Sequence, residues 1–485
     1  MSYLGKKGYS LLKSNLNEKE QTFIRSELTV KAYIPKSPVQ PEPFSLYRES
    51  PNKFYVPRYF GQDTFGDFSE NKLSRGDDID IEFNGELREY QINIVNKYIH
   101  FVKDSGGGLL DVDPGKGKTV MGLYIISKLK KKTLVIVHKS FLLNQWIERI
   151  QQFLPTARVG KIQGQIIDIE DKDIVIGMLQ SLSQKDYPDN LFDSFGLSIY
   201  DETHHLGAEV FSRCMMKTIT NYTLGLSGTM QRKDGLTKVF KMFLGNIIHK
   251  EKSNTSEHEV IVRAINYKVD DDEFNEMKYD YRGNPLYSTM ISKLCNFNRR
   301  SEFIIDVLKN ELDRNNDQQI MILAHNKSLI TYLYKAVEHR NVGTVGYYIG
   351  GMKEEQLKES EGKKIIIATY AMASEGLDIK TLTTLIMASP KTDVCQSVGR
   401  ILRTKHTNPL VIDIIDQHDI FVKQWQKRRK YYIKQKYNII STDNSKYFEN
   451  KWDTVYDPTN NDASIKKIKK KEEPLKGVCL INLTI

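Results

Sequence analysis

Gly115-Lys116-Gly117-Lys118-Thr119 has the composition of a loop that grips phosphate. Glycines such as Gly115 and Gly117 let backbone N–H groups turn toward phosphate oxygens. A helix starting at Thr119 adds the positive end of its dipole. Lys118 then reaches the β- and γ-phosphates of a nucleotide, and the Thr119 hydroxyl ligates Mg²⁺. The longer form G-x-x-x-x-G-K-[ST] fails, because Val112 stands where its first glycine belongs. A lysine-rich turn has the same letters, so the loop alone decides nothing.

Two acids and two arginines supply the remaining chemistry. The run Leu197-Ser198-Ile199-Tyr200 leads straight into Asp201-Glu202-Thr203-His204. Acids at the carboxyl end of a parallel strand face the crevice where ligands bind. There Asp201 holds Mg²⁺, mainly through water, and Glu202 polarises the attacking water; phosphoryl transfer needs both roles. His204 is a candidate link to a second domain. A plain strand-end turn is the alternative for the whole segment. Far downstream, Gln396, Gly399, Arg400 and Arg403 fall at i, i+3, i+4 and i+7, on one face of a helix. Arginines aimed at a γ-phosphate stabilise transition-state charge, worth about 10³–10⁵ in rate. A solvated basic face is the alternative here. If loop and arginines serve one nucleotide, two domains must close on it, and hydrolysis becomes motion.

The elements that must hold these residues are legible as alternation. Residues 81–250 alternate β-rich runs (109–112, 133–137, 174–178, 197–200 and 223–226) with helical stretches (120–129 and 140–153). Strands alternating with helices predict a parallel sheet covered on both faces. After the polar break 251–258 the pattern restarts, with runs at 320–324, 344–348, 364–368, 382–387 and 410–415. Helices are expected at 299–312, 328–338 and 394–402. The fold class is therefore α/β, with two parallel-sheet domains in tandem at 81–250 and 259–425. Residues 1–80 hold six of the fourteen prolines and form a small accessory region, with a strand-like aromatic stretch at 54–61. Its aromatics either stack bases or cap the first domain. Residues 426–485 form a basic extension. It contains Lys427-Arg428-Arg429-Lys430-Tyr431-Tyr432 and the lysine run 466–471, the latter a solvated tail.

A net charge of +10 and a pI near 9.0 suit a polyanionic partner. Cys214, Cys295, Cys395 and Cys479 are scattered, which argues against a structural metal cluster and for a reducing compartment. No apolar run reaches the roughly 18 residues of a membrane helix, and no signal-like start is present. The chain reads as intracellular and soluble, with no membrane partner.

Taken in order, the motifs resemble those of superfamily 2 helicases of the DExH form, over about 81–415. The adenine-side motif looks like Leu87-Arg88-Glu89-Tyr90-Gln91, and motif I is 115–119. Motif Ia resembles Val137-His138-Lys139-Ser140 with Gln145-Trp146, and motif Ic resembles 177–182. Motif II is 201–204, and motif III looks like Ser227-Gly228-Thr229 followed by Arg232-Lys233-Asp234-Gly235. Motif IV resembles Ile322-Leu323-Ala324-His325. Motif V resembles Ala368-Thr369 with Glu375-Gly376-Leu377-Asp378, and motif VI is 396–403. The set looks closest to the branch of the excision-repair, phage-recombination and poxvirus transcript-release helicases, and most like members from large DNA viruses. His138-Lys139 and Gly228 depart from the common pattern without removing a group that hydrolysis needs.

The resemblance implies RecA-like domains that bind ATP and Mg²⁺ between them. Arg88, Gln91, Gly376 and Asp378 would join the phosphate loop at the nucleotide. Gln396, Arg400 and Arg403 would join Lys118, Asp201 and Glu202 in catalysis. Ser140, Gln180, Ser181, His325 and Thr369 would touch a nucleic-acid backbone, DNA in preference to RNA. An RNA helicase, or a duplex-DNA translocase that unwinds nothing, fits the same residues. Transcription or replication machinery are candidate partners. The cytoplasm, a viral factory or the virion are the expected locations, with the nucleus left open.

Overall fold

The computed structural model describes residues 2–32, 40–113, 116–188, 190–201, 208–228, 237–250, 260–375, 379–394, 397–399 and 409–459. The strands expected from the alternation all form, within two eight-stranded sheets. The first sheet runs Ile166–Asp168, Val159–Gln163, Ile174–Met178, Thr133–Val137, Leu197–Asp201, Tyr222–Ser227, Gly107–Asp111, Ile247–Lys250. It is parallel apart from the edge hairpin 159–168.

Successive residues of a strand point to opposite faces. Leu110, Val135, Ile176 and Ile199 bury on one face, in a core with Tyr98, Met121 and Trp146. Those three come from helices Glu89–Ser105, Lys118–Leu129 and Ser140–Phe153. Leu109, Leu134, Val175 and Tyr200 bury on the other face, with Phe211, Phe240 and Phe243. Burial on both faces is why these strands read as unbroken apolar runs.

The second of these cores continues into the accessory region, through Tyr9, Phe54, Val56 and Phe60. That region has its own five-stranded sheet, ordered Arg48–Glu49, Lys53–Val56, Gly8–Leu12, Tyr3–Gly5, Glu70–Asn71. The stretch 54–61 was expected to be strand throughout. It is strand only to Val56, and helix Arg58–Phe65 follows. Pro57 is the helix N-cap: its ring holds φ at −54° and it has no N–H to leave unpaired. Phe54, Tyr59 and Phe60 are buried, so these rings cap the first domain. Arg58 fastens the cap, donating to Asn221 O at 2.8 Å and Ser105 O at 3.3 Å.

The second sheet runs Val345–Tyr348, Ile365–Thr369, Gln319–Ala324, Leu382–Met387, Leu410–Asp416, Ile261–Tyr267, Asn438–Asp443, Asp453–Tyr456. All pairs are parallel except the last. The boundary expected between 425 and 426 cuts through helix Asp419–Lys434, and the chain beyond it adds two strands to this sheet. Arg428 and Tyr432, from the run expected to lie in a basic extension, are buried one helical turn apart. Arg428 forks onto Asp413 at 2.7 and 2.8 Å, and Tyr432 OH adds 3.2 Å. A second buried fork joins Arg300 to Asp416 at 2.6 and 2.8 Å. Both acids lie on strand Leu410–Asp416, so two helices are clamped to one strand.

Candidate functional site

Parallel strands end together, and their carboxyl ends place the candidate residues in two rows. In the first sheet Val137 pairs Met178, Asp201 pairs Leu226, and Ser227 pairs Asp111. The loops leaving this edge carry 116–119, Ser140, Gln180 and Asp201. In the second sheet Ala324 pairs Thr369, and His325 and Ser389 lie just beyond the strand ends.

The phosphate loop is braced by the adenine-side segment. Gly117 is the N-cap of helix Lys118–Leu129 at φ +77°, a left-handed conformation that glycine takes without strain. A Cβ there would stand 2.4 Å from Gln91 Nε2. That amide donates to Lys116 O at 2.9 Å, while Gln91 Oε1 accepts from Arg88 N–H at 2.9 Å. Tyr90 OH also donates to Lys116 O, at 3.1 Å. Gln91 and Arg88 were expected at the nucleotide; Gln91 reaches the loop itself. Lys118 is buried, with Nζ 3.4 Å from Val112 O. Burial pushes the Asp113 carboxyl up, against the pull of Lys116, Lys118 and Lys434. Lys434 ends a helix of the second domain, so positive charge from that domain reaches the loop.

Asp201 is 7% exposed, and its Oδ2 accepts the Trp146 indole N–H at 2.8 Å. Trp146 was visible in the sequence only as part of a motif; its partner is 55 residues away. Further along the same edge, Gln180 Nε2 donates to His138 O at 3.0 Å. Ser181 Oγ accepts Gly164 N–H at 2.9 Å, and Ser140 Oγ lies 3.4 Å from Gln163 Nε2. These three candidates thus gather, each tied to neighbouring loops. In the second row, His325 Nδ1 meets Ser389 Oγ at 2.9 Å and its ring lies 4.7 Å from that of Tyr370. Burial, helped by Lys391, pushes its pKa down to about 4, so the ring is neutral at pH 7. Thr369 Oγ1 accepts Met372 N–H at 3.4 Å.

The two domains meet through the helices that follow their strands. Asn144 Nδ2 donates to Glu354 Oε2 at 2.5 Å, and Lys358 Nζ lies 3.0 Å from Glu148 Oε1. Asn144 and Glu148 share a face of helix Ser140–Phe153, whose inner face carries Trp146. Gly115, Glu202, Gly376, Asp378, Gln396, Arg400 and Arg403 lie outside the described residues.

Known proteins match both halves of this arrangement. The family described as "Type III restriction enzyme, res subunit" matches residues 84–232, and "Helicase conserved C-terminal domain" matches 303–405. A protein of Acanthamoeba polyphaga mimivirus, provisionally named an ATP-dependent RNA helicase, is 38% identical over 446 residues, covering 89% of this chain and 85% of its own. An African swine fever virus protein with the same provisional name is 28% identical over 388 residues, 74% of this chain and 75% of its own. Among solved structures, S. cerevisiae Dbp5 bound to RNA and ADP BeF3 shares the fold at TM-score 0.52 and 11% identity, over 75% of this chain and 92% of that one. With 38% identity across most of both chains, and both helicase domains matched in order, this chain belongs to the superfamily 2 helicases and is an ATP-dependent helicase acting on nucleic acid.

Proposed function

We propose that the chain is a DNA helicase. It hydrolyses ATP between its two domains, and closure and reopening step it along one strand and part the other. One observation carries this. The helices leaving the carboxyl edges of both sheets touch, through Asn144–Glu354 and Glu148–Lys358, with Lys118 and Asp201 on one edge and His325 and Thr369 on the other.

Lys118 and Thr119, with the backbone of Gly115 and Gly117, hold the triphosphate, and Gln91 and Arg88 brace that loop from the base side. Glu202 orients the attacking water. Gln396, Arg400, Arg403, Gly376 and Asp378 come from the second domain and complete the site on closure. Thr119 and Asp201 are hard oxygen donors of the kind Mg²⁺ takes. Among the described residues, no three His, Cys, Asp or Glu side chains cluster as an all-protein metal cage. Mg²⁺ held by those two residues would neutralise charge on the phosphates. Ser140, Gln180, Ser181, His325 and Thr369 contact strand backbone, which positions the strand without reading its sequence.

DNA is favoured because the family matching the first domain is named for a restriction enzyme, a DNA-cutting class. RNA is the second reading, because the mimivirus and African swine fever virus relatives carry RNA helicase in their names. ATP hydrolysis measured beside single-stranded, duplex and branched DNA and RNA separates the two. Stimulation by RNA alone would overturn the DNA assignment, and stimulation by none would overturn the motor.

A further inference from the structure

Folding normally hides large aromatic rings, yet one loop of the second domain displays them. Tyr281 is 88% exposed and Tyr279 53%, the two most exposed of the large apolar side chains among the described residues. The loop is built firmly. Asp280 N–H donates to Asn284 O, and Leu286 N–H to Lys278 O, both at 2.8 Å. Gly283 N–H closes a turn onto Asp280 O at 3.0 Å, and Tyr279 bridges to Pro285 across the hairpin. The Asp280 carboxylate accepts the N–H groups of Arg282 and Asn284 at 2.9 and 2.8 Å. Gly283 takes φ +75°, the left-handed position that follows a type I turn in such hairpins, and Tyr281 falls at the tip. The Arg282 guanidinium sits 5.0 Å over the Tyr281 ring. An ordered backbone that holds a ring in water gains nothing from burial, so the ring is available to a partner with a flat face.

Its place in the fold indicates which partner. The hairpin leaves the carboxyl end of strand Ile261–Tyr267 by way of the short helix Asp272–Asn275. At its base Tyr287 OH reaches Pro390 O at 3.5 Å, and the Tyr287 ring packs on Phe421. Pro390 follows Ser389, whose hydroxyl holds the His325 ring. The hairpin therefore stands next to the edge assigned above to the strand backbone.

We propose that Tyr281, with Tyr279 beside it on the same hairpin, is a base-stacking pin: it takes the flat face of a nucleobase of single-stranded nucleic acid at the mouth of the groove, with Arg282 beside the phosphate. The inference rests on the groove reading of Proposed function. Stacking is sequence-tolerant because every base has a π-face.

The test uses the full chain, Tyr281→Ala and Tyr281→Phe, and a single strand carrying 2-aminopurine, titrated by fluorescence at several salt concentrations. The alanine variant is expected to bind the strand roughly 5- to 150-fold more weakly, from the usual value of one stacked base. It should lose the 2-aminopurine quench and keep the wild-type salt slope, while the phenylalanine variant keeps both quench and affinity. Wild-type binding that Tyr281→Ala leaves intact in affinity and quench overturns the pin alone. A wild type that neither binds nor responds to any nucleic acid overturns the groove reading instead.

Discussion

Replacing Arg428 with methionine keeps most of the side chain's bulk and removes both hydrogen bonds that reach Asp413 at 2.7 and 2.8 Å. Asp413 has no exposed surface, and the polar contact left to it is the Tyr432 hydroxyl at 3.2 Å. A buried carboxylate stripped of its cation costs about 3–5 kcal/mol. For a domain of this size each kcal/mol lowers Tm by about 2–4 °C, so the second domain should melt roughly 10 °C earlier. Tryptophan emission reports the change, because Trp425 and Trp452 belong to the second domain and Trp146 to the first. If 427–432 were a solvated basic face, the same substitution would stay within about 0.5 kcal/mol. A cost under about 1 kcal/mol would therefore refute the placement of helix Asp419–Lys434 in this domain's core. Arg428→Met combined with Asp413→Leu should recover most of the loss, since an apolar pair of similar volume often matches a buried ion pair.

Four further outcomes are expected. Lys118→Ala should abolish ATP turnover while largely sparing nucleic-acid binding; turnover near wild type would remove the phosphate loop from the site. Arg403→Ala should lower kcat far more than ATP affinity and should lose stimulation by nucleic acid. Equal fold-stimulation in mutant and wild type would mean that this guanidinium does not meet the nucleotide on closure. Trp146→Phe keeps an aromatic ring, though a smaller one, and deletes the N–H that holds Asp201, so half-saturating Mg²⁺ should rise by roughly tenfold, and an unchanged requirement would count against that contact. His325, with its folded pKa pushed down to about 4, contributes stability that is complete above the free imidazole value near 6.5 and is lost as pH falls toward 4. His325→Gln should flatten that part of the acid unfolding curve, which an identical acid limb would contradict.

Much of this protein was readable without its tertiary structure. Strands buried on both faces leave unbroken apolar runs, and the runs at 133–137, 174–178 and 382–387 end where the expected strands end. The short polar segments that follow them carry the candidate chemistry, so motif order and sheet topology are two views of one pattern. Folding decided which far-off group each side chain meets. Arg428 and Arg429 are adjacent and alike in composition, yet only the three-dimensional path brings Asp413 under Arg428 and converts a charge run into a buried clamp. Trp146 on Asp201 and Gln91 on the phosphate loop belong to the same class. So do the edge strand Ile247–Lys250 and the strand Asn438–Asp443 next to the other sheet's edge, whose weak local signals were outweighed by the neighbours they pair with. Local alternation is set by burial on a single element and shows in the letters. A partner across the core is set by how helices pack on a twisted sheet, and no short window of sequence contains it.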